Sequence, residues 1–563
     1  MKTVICCINS KYIHSSLAPW YLLAGVKAYA QEEQHTMVKE FTINQPIDVI
    51  LQVLADEQAD VYAFCTYIWN IQMLRVLLPL LRERIPCCKI VLGGPEAAFN
   101  AEALLRELPI SFVLSGEGEE AFPLLLDGLK RGDSLKSVDG LQYMDGDIFI
   151  SRPPAFLRNF PPDPYMDEYF DTLNGRIVYL EGSRGCPFSC AFCLSGREDG
   201  LRIFPIERVK RDILRLAVCG TKTIKFVDRT FNCKKDRCLE ILQFILSEYG
   251  KLIPTDICFH FEVAADLFDE QTLVLLETAP KGLFQMEVGL QSFHRETLEA
   301  VTRKTDLQVL CQNVRRILKG GNIHLHIDLI AGLPQETLEI FKKSFDMAFA
   351  LQPHMLQLGF LKLLHGSALR KQVVENGYRF SESAPYEVYI SKWMNMDEFA
   401  LLHLVEDVVE RVYNSGRFLR TVQYVYAAAE CSPFELFLRI ALYLQEQKVD
   451  ICGITLDAYT EWIYQCCLQF DGVDEQTLRD QLVLDSLTSK QLNRLPSCLA
   501  QQDKRIAKIK RILSNAQGDR SIKRAVAFLR TQPNKVAVVT YTDRDPVTGQ
   551  YPLEILPLSQ FEI

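Results

Sequence analysis

The sequence lacks an apolar run approaching the roughly 20 residues that a helix needs to cross a bilayer. It also lacks an excess of positive charge, because 62 basic and 71 acidic residues give a net charge of −9. This balance excludes the overall basic footprint of proteins that bind nucleic acid. Internal repeats are absent, and the opening stretch MKTVICCINS is typical of a strand rather than a signal peptide. We therefore expect a globular cytoplasmic protein with neither membrane nor nucleic acid among its partners.

Cysteine, by contrast, is plentiful, with 18 residues. In a long intracellular chain this number favours free thiols, metal sites or redox chemistry over a disulfide framework. Most of these cysteines are scattered through apolar stretches, where a cysteine usually serves as a small buried side chain. Cys186, Cys190 and Cys193 differ, because they fall close together in a loop that follows the apolar run RIVYLEG.

The first 140 residues of this 563-residue chain alternate short apolar runs with helical patterns. The runs are TVICCIN, MVKEF, VYAFCTY, KIVLGG and FVLSGEGE. Five such units predict a flavodoxin-like, doubly wound α/β domain, whose ligands bind at the carboxyl ends of the strands. Residues 141–170 contain five prolines and are predicted to be a linker without a regular element.

Residues 171–375 contain six further strand patterns, each followed by a helical segment. They predict a partial (β/α)6 barrel resembling a TIM barrel, with its chemistry at the carboxyl ends of the strands. Residues 376–530 lose the strand runs and carry a period of 3.6, which predicts a helical domain. Residues 531–563 are predicted to be a terminal β-hairpin around a turn at Asp545–Gly549.

The cysteine loop has a spacing that suits an iron–sulfur cluster. Three closely spaced thiolates can bind one face of a [4Fe–4S] cluster, which leaves one iron open to the amino and carboxylate groups of a substrate. Gly182 and Gly185 give this loop conformational freedom. The alternatives are a zinc site whose fourth ligand is not apparent, or a chance grouping in a cysteine-rich chain.

The pattern Cys-x-x-x-Cys-x-aromatic-Cys, with Phe192 in the aromatic position, resembles the signature of the radical S-adenosylmethionine superfamily. Three later segments are similar to segments of the same family: FVDRTFN (Phe226–Asn232), EVGLQS (Glu287–Ser292) and HIDLIAGLPQET (His326–Thr337). The resemblance implies that the reduced cluster cleaves S-adenosylmethionine to methionine and a 5′-deoxyadenosyl radical. The resemblance assigns no side chain a catalytic role.

The resemblance also implies residues that bind S-adenosylmethionine. Gly289 and Gly332 would let the backbone approach the nucleoside. The polar candidates are Glu262, Gln291 and Asp328 for the amine and ribose hydroxyls, Arg303 for the carboxylate, and Asp228 for the cofactor or the substrate. Each polar residue could instead be a structural hydrogen-bonding group of the barrel.

The N-terminal domain resembles the cobalamin-binding domain of the family's cobalamin-dependent class. The matching residues are Thr66 and Tyr67 after the third strand, Gly93, Gly94 and Pro95 after the fourth, and Glu117 and Gly118 after the fifth. The Asp-x-His-x-x-Gly motif that supplies a histidine ligand to cobalt is missing, and His14 lacks the neighbours of that motif. We therefore expect cobalamin to bind without a protein histidine; the alternative is that the domain has lost cobalamin.

The resemblance implies a methyltransferase acting on an unactivated carbon of a small-molecule or macromolecular substrate. The alternatives are radical chemistry without methylation or cobalamin, and a sensor that uses its cluster or cobalamin. An enzyme of this kind would also need a one-electron reductant such as a flavodoxin or a ferredoxin. The domain order and the long helical tail resemble a bacterial family of this class that has a distinctive C-terminal region.

Two features of the C-terminal region permit further hypotheses. One is an auxiliary cluster. Its candidate ligands would be Cys431, Cys452, Cys466, Cys467 and Cys498. The irregular spacing of these cysteines fits buried thiols better than a cluster. The basic stretch Lys504–Arg530 is the other, because it could bind RNA or another polyanion. A helix with a solvated basic face is the simpler interpretation of that stretch.

Overall fold

The computed structural model describes residues 1–196, 200–449, 453–516 and 523–561. The chain divides into two compact units. Unit 1 consists of Met1–Glu262, Val301–Arg303 and Leu361–Val388, and unit 2 consists of Val263–Ala300, Lys304–Phe360 and Tyr389–Ile563. Within the described ranges, no helix has the length and apolarity needed to cross a membrane.

The N-terminal part of unit 1 is a seven-stranded sheet with intervening helices. Its strands are β1 Lys2–Asn9, β2 His35–Thr42, β3 Val61–Cys65, β4 Lys89–Gly93, β5 Phe112–Leu114, β6 Leu141–Asp145 and β7 Ile148–Ser151. Its helices are α1 Ala18–Tyr29, α2 Ile47–Glu57, α3 Ile71–Arg84, α4 Pro95–Ala98, α5 Ala101–Glu107 and α6 Gly118–Arg131. The spatial order is β2-β1-β3-β4-β5-β6-β7, and the first five strands are parallel. This is the predicted doubly wound arrangement, and it follows from apolar runs such as β3 that are buried along their whole length.

Strands β6 and β7 correct one prediction. They form an antiparallel hairpin that extends the sheet beyond β5, so the prediction that residues 141–170 lack a regular element is wrong for this part. The reason is the position of the five prolines, which all follow β7 and therefore interrupt neither strand. The pairing of Asp145 with Ile148 leaves Gly146 and Asp147 as a two-residue hairpin loop.

The remainder of unit 1 begins the predicted barrel. Its elements are α7 Asp167–Phe170, β8 Val178–Leu180, β9 Ser183–Arg184, β10 Arg202–Ile203, α8 Ile206–Ala217, β11 Thr223–Phe226, α9 Lys235–Glu248 and β12 Cys258–Val263. Strands β8, β11 and β12 lie side by side in parallel, as their apolar runs predict. Strands β9 and β10 form a separate antiparallel pair that flanks the loop with the three clustered cysteines.

Unit 2 contains three further parallel strands with their helices. The elements are α10 Glu270–Glu277, β13 Phe284–Gln291, α11 Arg295–Ala300, α12 Leu307–Gly320, β14 His324–Ala331, α13 Leu338–Phe349 and β15 Met355–Phe360. Strand β14 pairs with both β13 and β15. Buried and half-buried residues alternate along β13 and β14, so that polar residues such as Gln291 and Asp328 share the less buried face.

The residues after β15 are mostly helical, as predicted. The elements are β16 Arg379–Phe380, β17 Val388–Ile390, α14 Met396–Val408, α15 Leu419–Ala428, α16 Pro433–Glu446, α17 Leu456–Cys467, α18 Glu475–Ser489, α19 Lys504–Ala516, β18 Arg524–Phe528, β19 Lys535–Thr540 and β20 Leu553–Pro557. Strands β19 and β20 are the predicted hairpin. The prediction that residues 376–530 contain no strands is wrong for the short pair β16–β17 and for β18, which pairs with β19. Val526 of β18 packs there against Val536 and Ile509, whereas Lys504, Lys508 and Arg511 of α19 are exposed.

The turn of this hairpin packs on the barrel strands of unit 2. Lys281 forms an ion pair with Asp545, and His324 Nδ1 lies 2.5 Å from the carbonyl oxygen of Val547. A Cβ atom at Gly282 would lie 2.4 Å from Cβ of Pro546. The hairpin therefore packs closely against the amino ends of β13 and β14.

Candidate active site

The three cysteines lie in a loop of unit 1 between β9 and β10, which we call the cluster loop. Cys190 is buried, and Cys186 and Cys193 are partly exposed. Two other segments of unit 1 hold the loop in place. Ala191 donates to the carbonyl oxygen of Val301 at 2.9 Å, and the carbonyl oxygen of Ala191 accepts from Leu369 N–H at 3.0 Å. The loop is therefore anchored at its centre, next to Cys190.

Each thiol of the cluster loop has a polar neighbour that suits a thiolate. Arg303 Nη1 lies 3.7 Å from Cys190 Sγ, the Ser195 N–H donates to Cys193 Sγ at 3.3 Å, and the Thr230 hydroxyl lies 3.5 Å from Cys186 Sγ. Burial raises the pKa of Cys190, and the charge and hydrogen bond of Arg303 oppose that rise. Donors of this kind stabilise metal-bound thiolates and tune the metal.

The three cysteines offer three thiols from one loop. A [4Fe–4S] cluster binds one thiolate at each iron, so three thiolates leave one iron open. The donor set of the cluster loop therefore fits a [4Fe–4S] cluster with one open iron.

Asp228 braces the chain directly ahead of the cluster loop. Its carboxylate accepts from the Gly182 N–H at 2.8 Å and from the Ser183 hydroxyl at 2.6 Å. Burial raises the pKa of Asp228 to about 6, against the lowering effect of these hydrogen bonds. The sequence suggested contact with a cofactor or substrate, whereas here both carboxylate oxygens bond to the chain itself. The contacts therefore support a positioning role.

The other predicted residues of unit 1 occupy three different environments. Phe192 is half-buried within the cluster loop. Arg303, predicted to bind the carboxylate of S-adenosylmethionine, directs Nη1 to Cys190. Glu262 lies 3.6 Å from Lys225 and 3.7 Å from Arg229, and it lines a large cavity described below.

Four predicted residues of unit 2 meet at the carboxyl ends of two neighbouring strands. Gly289 of β13 stands opposite Asp328 of β14, and the pairing becomes irregular between Gly289 and Gln291. Gln291 has a φ of 73°, and its buried Oε1 has no hydrogen-bond partner among the described residues. Gly332, just past β14, has a φ of 90°. The structure thus brings Gly289, Gln291, Asp328 and Gly332 to one end of unit 2.

Glu336 belongs to the same end of unit 2, and sequence reasoning missed it. It is fully buried and accepts a hydrogen bond of 2.5 Å from Ser292. Burial raises its pKa to about 8, although the hydroxyls of Ser292 and Ser344 oppose the rise. Its position in the segment HIDLIAGLPQET was the available signal in the sequence, but a glutamate is rarely fully buried.

A cavity of about 690 Å³ opens in unit 1 at the carboxyl ends of β1, β3, β4 and β5. We call it the glycine-turn cavity, because Gly93, Gly94, Gly116 and Gly118 border it. Gly94 has a φ of 100°, and a Cβ atom there would lie 2.6 Å from the carbonyl oxygen of Thr66. Only glycine fits this turn without strain. Thr66 and Pro95 are not among the residues that line the empty cavity, so their contact with cobalamin stays a prediction.

Aromatic side chains form one wall of the glycine-turn cavity. Tyr67 and Trp69 stack with ring centres 4.4 Å apart and planes 8° apart. Phe64 and Phe122 add further apolar surface. Flat apolar walls combined with glycine turns suit a broad planar cofactor with a nucleotide tail. The cavity therefore fits cobalamin.

His14 also lines the glycine-turn cavity. Its Nδ1 lies 2.8 Å from the hydroxyl of Tyr179. Burial lowers its pKa, and the charges of Lys11 and Lys225 lower it further. His14 is therefore neutral near pH 7, and one ring nitrogen is already hydrogen-bonded to Tyr179.

Glu117 connects the cavity to the cluster loop. Its carboxylate accepts from Arg184 at 2.7 Å and from the Leu157 N–H at 2.6 Å, so it is engaged by the protein itself. Arg184 also pairs with Glu119 and Glu181, each at 2.9 Å. Because Arg184 precedes Cys186 by two residues, one guanidinium connects the glycine turn to the cluster loop.

The C-terminal cysteines support the buried-thiol alternative. Cys466 and Cys467 are buried in α17, and burial raises the pKa of both thiols, that of Cys466 to about 12. Both thiols are therefore small buried side chains of the helix. Cys452, also considered for an auxiliary cluster, lies outside the described residues.

Three sequence families match successive parts of the chain. The B12 binding domain matches residues 4–126, the radical SAM superfamily matches residues 180–348, and the family described as "Protein of unknown function (DUF4080)" matches residues 374–545. These matches give the chain a [4Fe–4S] cluster, S-adenosylmethionine and cobalamin as cofactors. They agree with the chemistry of the cluster loop and of the glycine-turn cavity.

Two curated relatives share moderate identity with the chain. The uncharacterized methyltransferase PH0819 of Pyrococcus horikoshii is 29% identical over 301 residues, which is 51% of this chain and 63% of that protein. The cobalamin-dependent radical SAM methyltransferase TokK of Streptomyces tokunonensis is 26% identical over 455 residues, which is 74% of this chain and 65% of that protein. The chain thus spans less than two thirds of the length of either relative.

Solved structures agree with the fold. The cobalamin-dependent S-adenosylmethionine radical enzyme OxsB with aqua-cobalamin bound matches with a TM-score of 0.60 and 15% identity, over 86% of this chain and 83% of that one. The radical S-adenosylmethionine methyltransferase TsrM of Kitasatospora setae, with cobalamin and a [4Fe–4S] cluster bound, matches with a TM-score of 0.55 and 16% identity. The match covers 69% of this chain and 79% of that one. The predicted fold class is confirmed. The chain therefore carries a domain of the radical S-adenosylmethionine superfamily at residues 180–348, preceded by a B12 binding domain at residues 4–126.

Proposed function

We propose that this protein is a cobalamin-dependent radical S-adenosylmethionine methyltransferase that acts on an unactivated carbon. The observation that carries the proposal is the pair of sites in unit 1, where Arg184 connects the glycine-turn cavity to the cluster loop. Methyl transfer of this kind needs both cofactors within reach of one substrate. The relatives PH0819 and TokK, both named methyltransferases, support the same activity.

The chain's own residues would have distinct roles in this reaction. When bound, the cluster and S-adenosylmethionine supply radical chemistry, and cobalamin supplies the methyl group. Cys186, Cys190 and Cys193 would hold the cluster, while Arg303 would stabilise the thiolate of Cys190. Asp228 would hold the chain ahead of the cluster loop in position through its two hydrogen bonds.

The remaining candidates divide between the two small-molecule cofactors. Gly289, Gln291, Asp328 and Gly332, which share one end of unit 2, would contact S-adenosylmethionine. Tyr67, Trp69 and the glycine turns would border cobalamin. His14 would remain bonded to Tyr179 rather than to cobalt, because its hydrogen bond and its lowered pKa suit a neutral structural imidazole.

The reaction also requires partners. A cytoplasmic flavodoxin or ferredoxin would supply the single electron that reduces the cluster. The substrate would be a small molecule or a macromolecule that offers a carbon without an activating group. The aromatic wall of the glycine-turn cavity suits cobalamin, so other surfaces of the protein would recognise the substrate.

Product analysis tests the proposal. The protein is reconstituted anaerobically with iron, sulfide and hydroxocobalamin, reduced, and supplied with S-adenosylmethionine. We expect both 5′-deoxyadenosine and S-adenosylhomocysteine, with Cys190→Ala producing neither. Formation of 5′-deoxyadenosine alone would favour non-methylating radical chemistry. Formation of neither product by a protein with an intact cluster would favour a sensor.

A further inference from the structure

A second cavity, of about 440 Å³, lies among the C-terminal helices of unit 2. Three pieces of chain enclose it: Arg417 and Phe418 ahead of α15, the first residues of α17, and the segment from Ser486 in α18 to Pro496. We call it the basic cavity. None of the residues assigned to the cluster, to S-adenosylmethionine or to cobalamin lines it.

Three cationic side chains line the basic cavity, namely those of Arg417, Lys490 and Arg494. Within the described part of the chain, none of the three forms an ion pair. Three like charges around one cavity repel one another unless an anion lies between them.

The carboxylate of Asp457 is the only one among the described residues that line the basic cavity. It is held by Ser497, which donates from its N–H and its hydroxyl, each at 2.8 Å. These bonds fix Asp457 at the start of α17, where a carboxylate is favoured by the helix dipole. The formal charge of the lining is therefore three positive charges and one negative charge, a net value of +2.

Neutral donors complete the lining. The hydroxyls of Ser486 and Ser489 and the side-chain amide of Asn493 border the same space. The amino end of the 12-residue helix α17 contributes Leu456 and adds the positive end of a helix dipole. Guanidinium, ammonium, hydroxyl and amide donors together are the groups that bind phosphate oxygens.

We propose that the basic cavity binds a small molecule bearing a phosphate monoester. A phosphate monoester carries close to two negative charges at pH 7, which matches the net charge of the lining. Binding the phosphate group would use only part of the cavity, which leaves room for the organic part of a small ligand. This inference does not depend on the proposed methyl transfer, because it uses neither the cluster nor cobalamin.

Calorimetric titration of the full-length protein tests the proposal. The probes are inorganic phosphate and glycerol phosphate, both at low salt. We expect saturable binding, with glycerol phosphate equal to or tighter than inorganic phosphate. Arg417→Gln, Lys490→Gln and Arg494→Gln should each weaken binding about tenfold or more, because each removes a charge-assisted hydrogen bond. Arg494→Lys should retain part of the affinity.

Lys392→Gln is the matched control, because Lys392 is also an exposed cation of unit 2 but does not line the basic cavity. Its binding should equal that of the unmodified protein. Circular dichroism checks that each variant is folded. Absence of saturable binding to both probes would overturn the proposal. If Lys392→Gln and Arg494→Gln weaken phosphate binding equally, the proposal is also overturned. Binding would then depend on the overall surface charge, as the binding of a nucleic acid does.

Discussion

Arg184 Nη1 lies 2.7 Å from Glu117 Oε1, so one ion pair connects the glycine turn after β5 to the chain two residues ahead of Cys186. Arg184 pairs with two more carboxylates, those of Glu119 and Glu181. Burial raises the pKa of Glu119, and the charge of Arg184 opposes that rise. Arg184 is therefore the cation that these three carboxylates share.

Replacing Arg184 should destabilise unit 1. In Arg184→Gln the partly buried carboxylates lose their shared partner, and loss of one member of a buried ion pair costs roughly 3–5 kcal/mol. Denaturant unfolding should show a decrease in the free energy of unfolding at the low end of that range. Arg202→Gln is the control, because Arg202 is buried to a similar degree but pairs with Glu117 alone, so its loss should cost less than that of Arg184. Equal effects of the two substitutions would contradict the central role given to Arg184.

Replacing any cysteine of the cluster loop should abolish the cluster. Cys186→Ala, Cys190→Ala and Cys193→Ala each remove a thiolate that has no local substitute, so the reconstituted variants should lose the broad absorbance near 400 nm and the roughly four bound irons. Cys258→Ala, which changes a cysteine at the start of β12, should keep both. A variant of the triad with its full iron content would show that the cluster has other ligands.

The stability of the protein should depend on pH through Glu336. Its pKa rises from an ordinary 4.5 to about 8 on folding, so the folded protein holds a proton that the unfolded chain releases. The stabilisation is therefore complete below about pH 4.5 and is lost as the pH rises through 8, by a few kcal/mol in total. Glu336→Gln should flatten the decline in unfolding free energy between pH 6 and 9. Glu339→Gln, at an exposed position of α13, should leave this pH-dependent decline unchanged. Equal slopes in the unmodified protein, Glu336→Gln and Glu339→Gln would contradict the raised pKa of Glu336.

Gly332 offers a test of the nucleoside contact. A side chain at a positive φ costs about 1–2 kcal/mol wherever it is placed. Gly332→Val and Gly321→Val should therefore lose similar stability, because Gly332 has a φ of 90° and Gly321 a φ of 65°. Only Gly332→Val should weaken the binding of S-adenosylmethionine, measured by equilibrium dialysis. Unfolding of Gly332→Val alone would mean that Gly332 is purely structural.

Much of the fold could be predicted from local patterns, and the exceptions have physical causes. Strands such as β3 are buried on both faces, so their apolar runs are continuous and easily recognised. The hairpin β6–β7 was missed because five prolines follow it closely, although none lies within it. Strand β18 was missed because its short run follows a basic helix, and its partner lies in the next predicted domain.

The candidate site was predictable where its residues lie within a recognisable local segment. The cysteine triad lies within one loop, so its spacing alone indicated a cluster. The pair of Arg184 and Glu117 joins residues 67 positions apart, and no local pattern signals such a contact. The engagement of Asp228 by Gly182 and Ser183 likewise depends on β8 and β11 lying side by side. Long-range contacts of this kind required the folded structure.

Cobalamin retention is the most direct test of the proposed function. The protein is reconstituted anaerobically with iron, sulfide and hydroxocobalamin, and unbound cofactor is removed by gel filtration. The protein should retain stoichiometric cobalamin together with an intact cluster, and Gly94→Val should lose the cobalamin but keep the cluster, because a side chain at Gly94 would collide with Thr66. His14→Ala should show the same cobalamin spectrum as the unmodified protein. Failure of the unmodified protein to retain cobalamin while its cluster is intact would contradict cobalamin-dependent methyl transfer.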